Sequence, residues 1–157
     1  MRKSIIAPGS QEADTPVDEW LDLDELAKVD VTSEDPGHPI ESALIPNRGL
    51  GWLAARAGSQ IVRLRFDKPQ RVRRVWLQFA ELGEERTQEF VLRWGADDDQ
   101  PTREIVRQQW TFSPGGSTHE TEDYRVDLWG VTVIELTINP HISGGESRAS
   151  LAEMRVA

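Results

Sequence analysis

Apolar and polar positions alternate with a period of two along most of this chain. The clearest case runs from Gly58 to Glu81, GSQIVRLRFDKPQRVRRVWLQFAE. Val62, Leu64 and Phe66 interleave with Ile61, Arg63 and Arg65, and Val75, Leu77 and Phe79 interleave with Arg74, Trp76 and Gln78. That period places each apolar triplet on one face of a strand. Asp67-Lys68-Pro69-Gln70 between them is turn chemistry. The segment therefore predicts an antiparallel hairpin, half-buried, whose second face carries arginine.

The same reading extends in both directions. Trp20-Leu21-Asp22-Leu23 predicts a short strand, Asp24 to Ala27 a single helical turn, and Lys28 to Ser33 a strand. Glu34 to Ala57 holds Pro36, Gly37, Pro39, Pro46, Gly49 and Gly51, and predicts a long connection of the kind that is uncommon unless functional. Strands are predicted over Thr87 to Gly95 and Arg103 to Phe112, around Tyr124, Val126 and Leu128, and around Ile134, Leu136 and Ile138. A last one covers Ser150 to Val156. Trp129-Gly130 reads as a tight turn between two of them. About eight strands with almost no helix predict a β-sandwich or barrel over residues 20–157. Residues 1–19, polar and broken by Pro8, Gly9 and Pro16, are expected to be an arm or strap.

If successive strands run antiparallel, the connections alternate between two poles. The loops at 34–58, 82–86, 113–120 and 140–149 then share one pole, and the turns at 67–70, 97–102 and 129–130 share the other. His38, His119 and His141 fall at the long-loop pole, with Asn47, Arg48, Trp52, Arg86 and Arg148. Long loops on a rigid sandwich are where function usually sits.

Composition narrows the chemistry. The chain has 157 residues, enough for one domain with a real core, and a formal net charge of −9, which argues against nucleic-acid backbone binding. It has no cysteine, which removes disulfides and thiolate chemistry. Ile5-Ile6-Ala7 is too short an apolar run for a signal peptide, and nothing approaches a membrane span, so a cytoplasmic location is expected. The histidines lack metal spacing and read as solvated loop residues. Glu120, Glu122 and Glu146 supply no spacing for glycoside hydrolysis, and no nucleophile elbow is present. The chain is expected not to be an enzyme. Acids dominate from Glu12 to Glu41 and arginines from Arg48 to Arg107, which predicts that the first pack against the second. Trp76, outward in phase, is expected under an N-terminal strap with Trp20, whereas Trp110 and Phe112 share the inward phase of Val106.

Thr32-Ser33 closes the first strand, Ala43-Leu44 precedes Gly51-Trp52 and Ala54-Ala55, and Gln60 to Phe66 leads to Pro69 and Val72. Arg86 to Trp94 follows, and Ala149 to Val156 ends the chain. In this order the pattern resembles the galactose-binding-like superfamily, the jelly roll of discoidin and coagulation-factor C-type domains. The resemblance covers about four-fifths of the chain. It implies an eight-stranded jelly-roll β-sandwich and a non-catalytic binding module, since most members bind sugars or lipid head groups through loops at one end and others mediate protein contacts. It also implies a structural calcium between the loop after the first strand and Glu153, with Asn47 and Glu41 as further oxygen donors. Ile45-Pro46 stand where the family usually has Asp-Gly, which leaves the set short of the roughly six to eight oxygens that calcium takes.

Together these readings predict recognition of a carbohydrate-like ligand at the long-loop pole by His38, Arg48, Arg86, His119, His141 and Arg148. Trp52 is either an apolar wall there or part of the core. The alternative is a protein–protein module using the arginine-rich sheet face or an edge strand.

Overall fold

The structure is a computed structural model and describes residues 20–96 and 100–157. The predicted N-terminal arm and the acidic run at 97–99 lie outside the described residues. The elements in order are α1 (Leu23–Leu26), β1 (Ala27–Val31), α2 (Glu41–Leu44), β2 (Trp52–Ala57), β3 (Gln60–Ala80), β4 (Arg86–Ala96), β5 (Arg103–Phe112), β6 (His119–Asn139), β7 (Arg148–Leu151) and β8 (Glu153–Val156). The single helical turn read from Asp24 onward is α1. Asp22 caps it, its carboxylate accepting from the backbone N–H of Asp24 (3.1 Å) and Glu25 (3.4 Å). Trp20 and Leu21, predicted as strand, are irregular.

The 58–81 segment departs most from expectation. It is one strand of 21 residues, not a hairpin, and its two halves do not pair with each other. They pair in succession with β6, also 21 residues long, from Gln60↔Ile138 to Ala80↔His119. The register shifts between Arg65 and Arg74, around the predicted turn. Lys68-Pro69 thus marks a corner. There the chain leaves one layer of the sandwich and returns in the other, and Trp129-Gly130 of β6 turns the same corner alongside it. Each half of β3 gains its own outer neighbour, β1 for residues 62–66 and β8 for residues 75–78. The path β1-β3-β6-β4-β5 continues the first layer through β4 and β5, and β2 pairs with β7. The six pairings between these strands are antiparallel, and Gly58 makes one isolated parallel bridge to Arg148.

The alternation still sorts the core correctly. Val62, Leu64, Val75, Leu77, Phe79, Phe90, Leu92, Ile134, Leu136 and Ile138 are all buried. Two elements were missed: β2 and α2 both lie inside the predicted long connection. Gly51, at φ +102°, lets β2 run against β7, since a Cβ there would come within 2.6 Å of the Leu151 carbonyl. The C-terminal run is two strands. Ala152 separates them, and its N–H bonds to the Gln78 carbonyl (2.9 Å).

The arginine face is largely neutralised within the sheet. Arg63 pairs with Glu135, Arg65 with Asp30, Arg71 with Asp127, Arg74 with Asp123, and Arg107 with both Glu89 and Glu104. Of these acids only Asp30 belongs to the acidic N-terminal third. Among the described residues, the expected packing of that third against these arginines reduces to Asp30, and cross-strand pairs supply most of the rest.

Candidate functional site

The bent β3–β6 ribbon brings its four ends to one pole, and a chain of contacts ties the loops there together. Arg86 opens β4. Its Nε donates to Glu81 (2.8 Å) after β3, and its Nη1 donates to the Pro140 carbonyl (2.7 Å) after β6. The Thr87 N–H donates to Nδ1 of His141 (3.3 Å), and the Glu81 N–H to the Thr118 carbonyl (2.8 Å). Ser147 Oγ donates to Glu84 (2.8 Å), and Arg148 Nη1 donates to Asp35 (3.4 Å) and to the Ala54 carbonyl (3.3 Å). The loops at 34–38, 81–87, 118–119 and 140–148 therefore meet, as the alternation argument required, whereas Asn47, expected at the same pole, lines a cleft with Trp76 and Glu153 instead. At the opposite pole Arg71 stacks over Trp129 at 3.9 Å, and Gln70 and Ala96 both pair with Val131.

The seven sequence-predicted ligand residues divide sharply. Arg86 is 2% exposed; besides Glu81 and Pro140 it meets Gln88 and lies over the Phe112 ring at 4.8 Å. It clasps the pole from within and cannot reach a ligand. Trp52 is 1% exposed, with its Nε1–H donating to the Ser33 carbonyl (3.0 Å), so it is core and not a wall. His38, Arg48, His119, His141 and Arg148 keep exposed or half-exposed side chains. His38 Nδ1 lies 3.5 Å from Asp35, which also holds Arg148. The Gly37 backbone N–H, with help from His38 and Arg148, pulls the Asp35 carboxyl below its usual range. His119 Nδ1 meets the Thr118 hydroxyl (2.9 Å). Arg48 follows α2, and its carbonyl accepts from Ser42 Oγ (2.9 Å). A small groove opens beside His141, lined by Gly58, Asn139, Pro140, Gly144, Gly145 and Ser147, with a volume of about 40 Å³. Ile142 and Leu82, large and exposed, stand on the loops of this pole.

Below the pole, between the layers, lies a carboxylate that the sequence did not single out as buried. Glu120 is 1% exposed; Oε1 accepts from Gln88 Nε2 (3.3 Å), and Oε2 has no hydrogen-bond partner among the described residues. Burial, reinforced by the neighbouring Glu122, pushes its carboxyl up to about 8. Glu122 in turn accepts from the Tyr124 hydroxyl (2.9 Å).

A second concavity lies away from the pole, on the outer side of the β3–β8 pair. Trp76 of β3 sits opposite Arg155 of β8. Trp20 approaches from the N-terminal side, under the Arg74 guanidinium at 4.6 Å; the strap expected over Trp76 lies outside the described residues. Trp20, Pro46, Asn47, Trp76, Glu153 and Arg155 line a depression of about 300 Å³. Trp20, Pro46 and Arg155 continue into an adjoining depression of similar volume, with Asp22, Asp24 and Leu44.

Solved structures similar to this chain include several carbohydrate-binding modules. A family 32 module from C. perfringens NanJ, in complex with galactose, matches with a TM-score of 0.63 at 15% identity, over 87% of this chain and 96% of that one. A family 32 module from Clostridium perfringens in complex with GalNAc-β-1,3-galactose matches with a TM-score of 0.65 at 16% identity, over 87% and 98%. The family 32 module of AlyQ, in complex with 4,5-unsaturated mannuronic acid, gives 0.61 at 19% identity, over 85% and 95%. The chain therefore shares the antiparallel β-sandwich fold of these modules. No family model matches the chain, and no curated protein matches it in sequence.

The calcium that this jelly roll implies can be tested against the residues present. Asn47 and Glu153 do line one cleft, but Glu41 lines a different depression, with Leu23, Val29 and Leu64. Arg155 occupies the intervening space. Its Nη1 donates to the Ala43 carbonyl (2.9 Å) and the Met154 carbonyl (2.8 Å), and its Nη2 lies 3.5 Å from Glu153. Among the described residues no group of three or more His, Asp or Glu side chains is placed to hold a metal. These residues do not fit a calcium cage: a guanidinium already ties α2 to β8 there. Among the described residues no helix is long and apolar enough to cross a membrane.

Proposed function

We infer that this jelly roll is a non-catalytic carbohydrate-binding module that takes a sugar at its long-loop pole. The observation that carries the reading is the near-complete coverage of modules solved with galactose and with GalNAc-β-1,3-galactose. The pole adds suitable chemistry. His141 and Asn139 line the groove, and Arg148 and His38 stand at Asp35 beside it. Imidazole, carboxamide and guanidinium offer the directional donors and acceptors that vicinal hydroxyls need. With Trp52 buried, Ile142 and Leu82 supply the apolar contact. His119, hydrogen-bonded to Thr118, stands at the rim, and Arg48, which follows α2, is not part of the groove lining. The ion-paired arginine face gives the protein–protein alternative little support.

In some relatives the module accompanies an enzyme: truncated AlyQ carries a family 32 module together with an alginate lyase domain. The reading needs no catalytic group in this chain. A glycan array, run with calcium and with a chelator, tests it. Retention of terminal galactose or N-acetylgalactosamine glycans in both conditions, lost in H141A and R148A, is the expected outcome. A blank array in both conditions overturns it.

A further inference from the structure

The tryptophan cleft is a second built concavity, and the loop-pole reading does not use it. It combines three features. Two half-buried indoles, Trp20 and Trp76, line it from different parts of the chain. Arg74 lies over the Trp20 ring and is itself held by two hydrogen bonds to Asp123, both 2.8 Å, so that ring is fixed in place. A carboxylate, a guanidinium and a carboxamide converge beside them. Glu153 keeps 45% of its side chain exposed, Arg155 is locked by the Ala43 and Met154 carbonyls, and Asn47 projects from a left-handed turn at φ 62°.

We propose that this cleft binds a neutral hexopyranose, stacked on Trp76 and hydrogen-bonded by Glu153, Asn47 and Arg155. An indole face matches the flat C–H face of a pyranose, and a carboxylate accepts from two adjacent hydroxyls at once. The charges select against acidic sugars. Arg155 is offset by Glu153, and Asp22 and Asp24 line the adjoining depression. A uronate would face a net negative wall in a protein of net charge −9. At about 300 Å³, each depression reaches the lower end of the size of small-molecule sites, and the pair has room for a second ring. The site rests on the outer face of the β3–β8 pair, with Trp20, Pro46 and Asn47 walling it from outside the sheet. It stands on its own lining and not on the loop-pole reading.

The test uses the full chain with isotope-labelled indole N–H groups, assigned through W20F and W76F. It is titrated in turn with methyl β-galactopyranoside, methyl β-glucopyranoside, methyl α-mannopyranoside and glucuronate. At least one neutral glycoside should move the Trp20 and Trp76 signals more than those of Trp52, Trp94 and Trp110. E153Q, which keeps the side chain's shape, should weaken that response about tenfold. Melting of E153Q at the parent temperature shows that the loss is local. H141A and R148A should leave the response intact. Still Trp20 and Trp76 signals with all three neutral glycosides overturn the proposal, as does an equal response to glucuronate. If those signals stay still while H141A abolishes glycan retention, this inference fails and the loop-pole reading stands. If they move and survive R148A, this inference stands whatever becomes of the pole.

Discussion

The two concave regions of this jelly roll use charged side chains in opposite ways. At the loop pole the most promising arginine is consumed by structure: Arg86 spends its hydrogen bonds on Glu81, Pro140 and Gln88. On the outer face Arg155 is also tied down, yet it leaves a carboxylate and two indoles facing a cleft. A guanidinium near a loop is therefore no measure of a ligand site. What matters is how much of its donor set the backbone has already claimed.

The comparison can be broken most forcefully at Arg86. R86A should cost about 3–5 kcal/mol in chemical denaturation, because it leaves Glu81 and the Pro140 carbonyl without their buried donor. A folded R86A of parent stability that loses sugar binding would make Arg86 a ligand residue after all. The next effect comes from Glu120. In the folded chain its carboxyl holds a proton up to about pH 8, against 4.5 ordinarily. The folded state thus binds more protons than the unfolded one between those values, and this group's contribution to stability falls as pH rises through that window. E120Q should flatten that decline and raise the melting temperature above pH 8 by a few degrees. Unchanged slopes in melting scans from pH 5 to 9 would show that Glu120 ionises normally.

A smaller effect separates the two regions directly. R148A and H141A should lower affinity for an array-positive glycan about tenfold while shifting the melting temperature by no more than about 2 °C. A large drop in melting temperature would put the Arg148–Asp35 pair beside Arg86 as framework. The smallest expected effect is none at all. Because Arg155 fills the space where the superfamily resemblance places a metal, adding calcium or a chelator should leave the melting curve unmoved. R155A should lower it by releasing α2 from β8. Stabilisation by calcium in the parent protein would reverse that assignment.

Much of the fold was legible because burial follows a simple period. Val62, Leu64 and Phe66, then Val75, Leu77 and Phe79, announce their faces without help. Pairing partners were not legible. Asp67-Lys68-Pro69-Gln70 signals a change of direction, but the same residues serve a hairpin or a corner between layers, and only the distant β6 decides which. β2 escaped notice because Ala54, Ala55 and Ala57 carry little strand signal and Gly51 suggested loop. The burial of Arg86 depends on a carboxylate five residues upstream and a carbonyl beyond β6, which no local pattern reveals. Gathering the histidines at one pole needed only the count of direction changes, and a corner counts the same as a hairpin. Trp20 and Trp76 were paired by phase and proximity to the N-terminus. That Asn47 and Glu153 would meet each other followed from resemblance to a metal site, but nothing in the sequence placed them beside Trp20 and Trp76.

One ribbon, β3 zipped to β6 along nearly its whole length, belongs to both leaves of the sandwich. The leaves therefore cannot peel apart as separate sheets: opening the molecule means unzipping a single ladder that rounds a corner. Amide hydrogens on both sides of that corner should exchange with solvent as one cooperative unit. The two concave regions, attached to the ribbon's ends and to its outer face, can then loosen locally while their foundation stays shut.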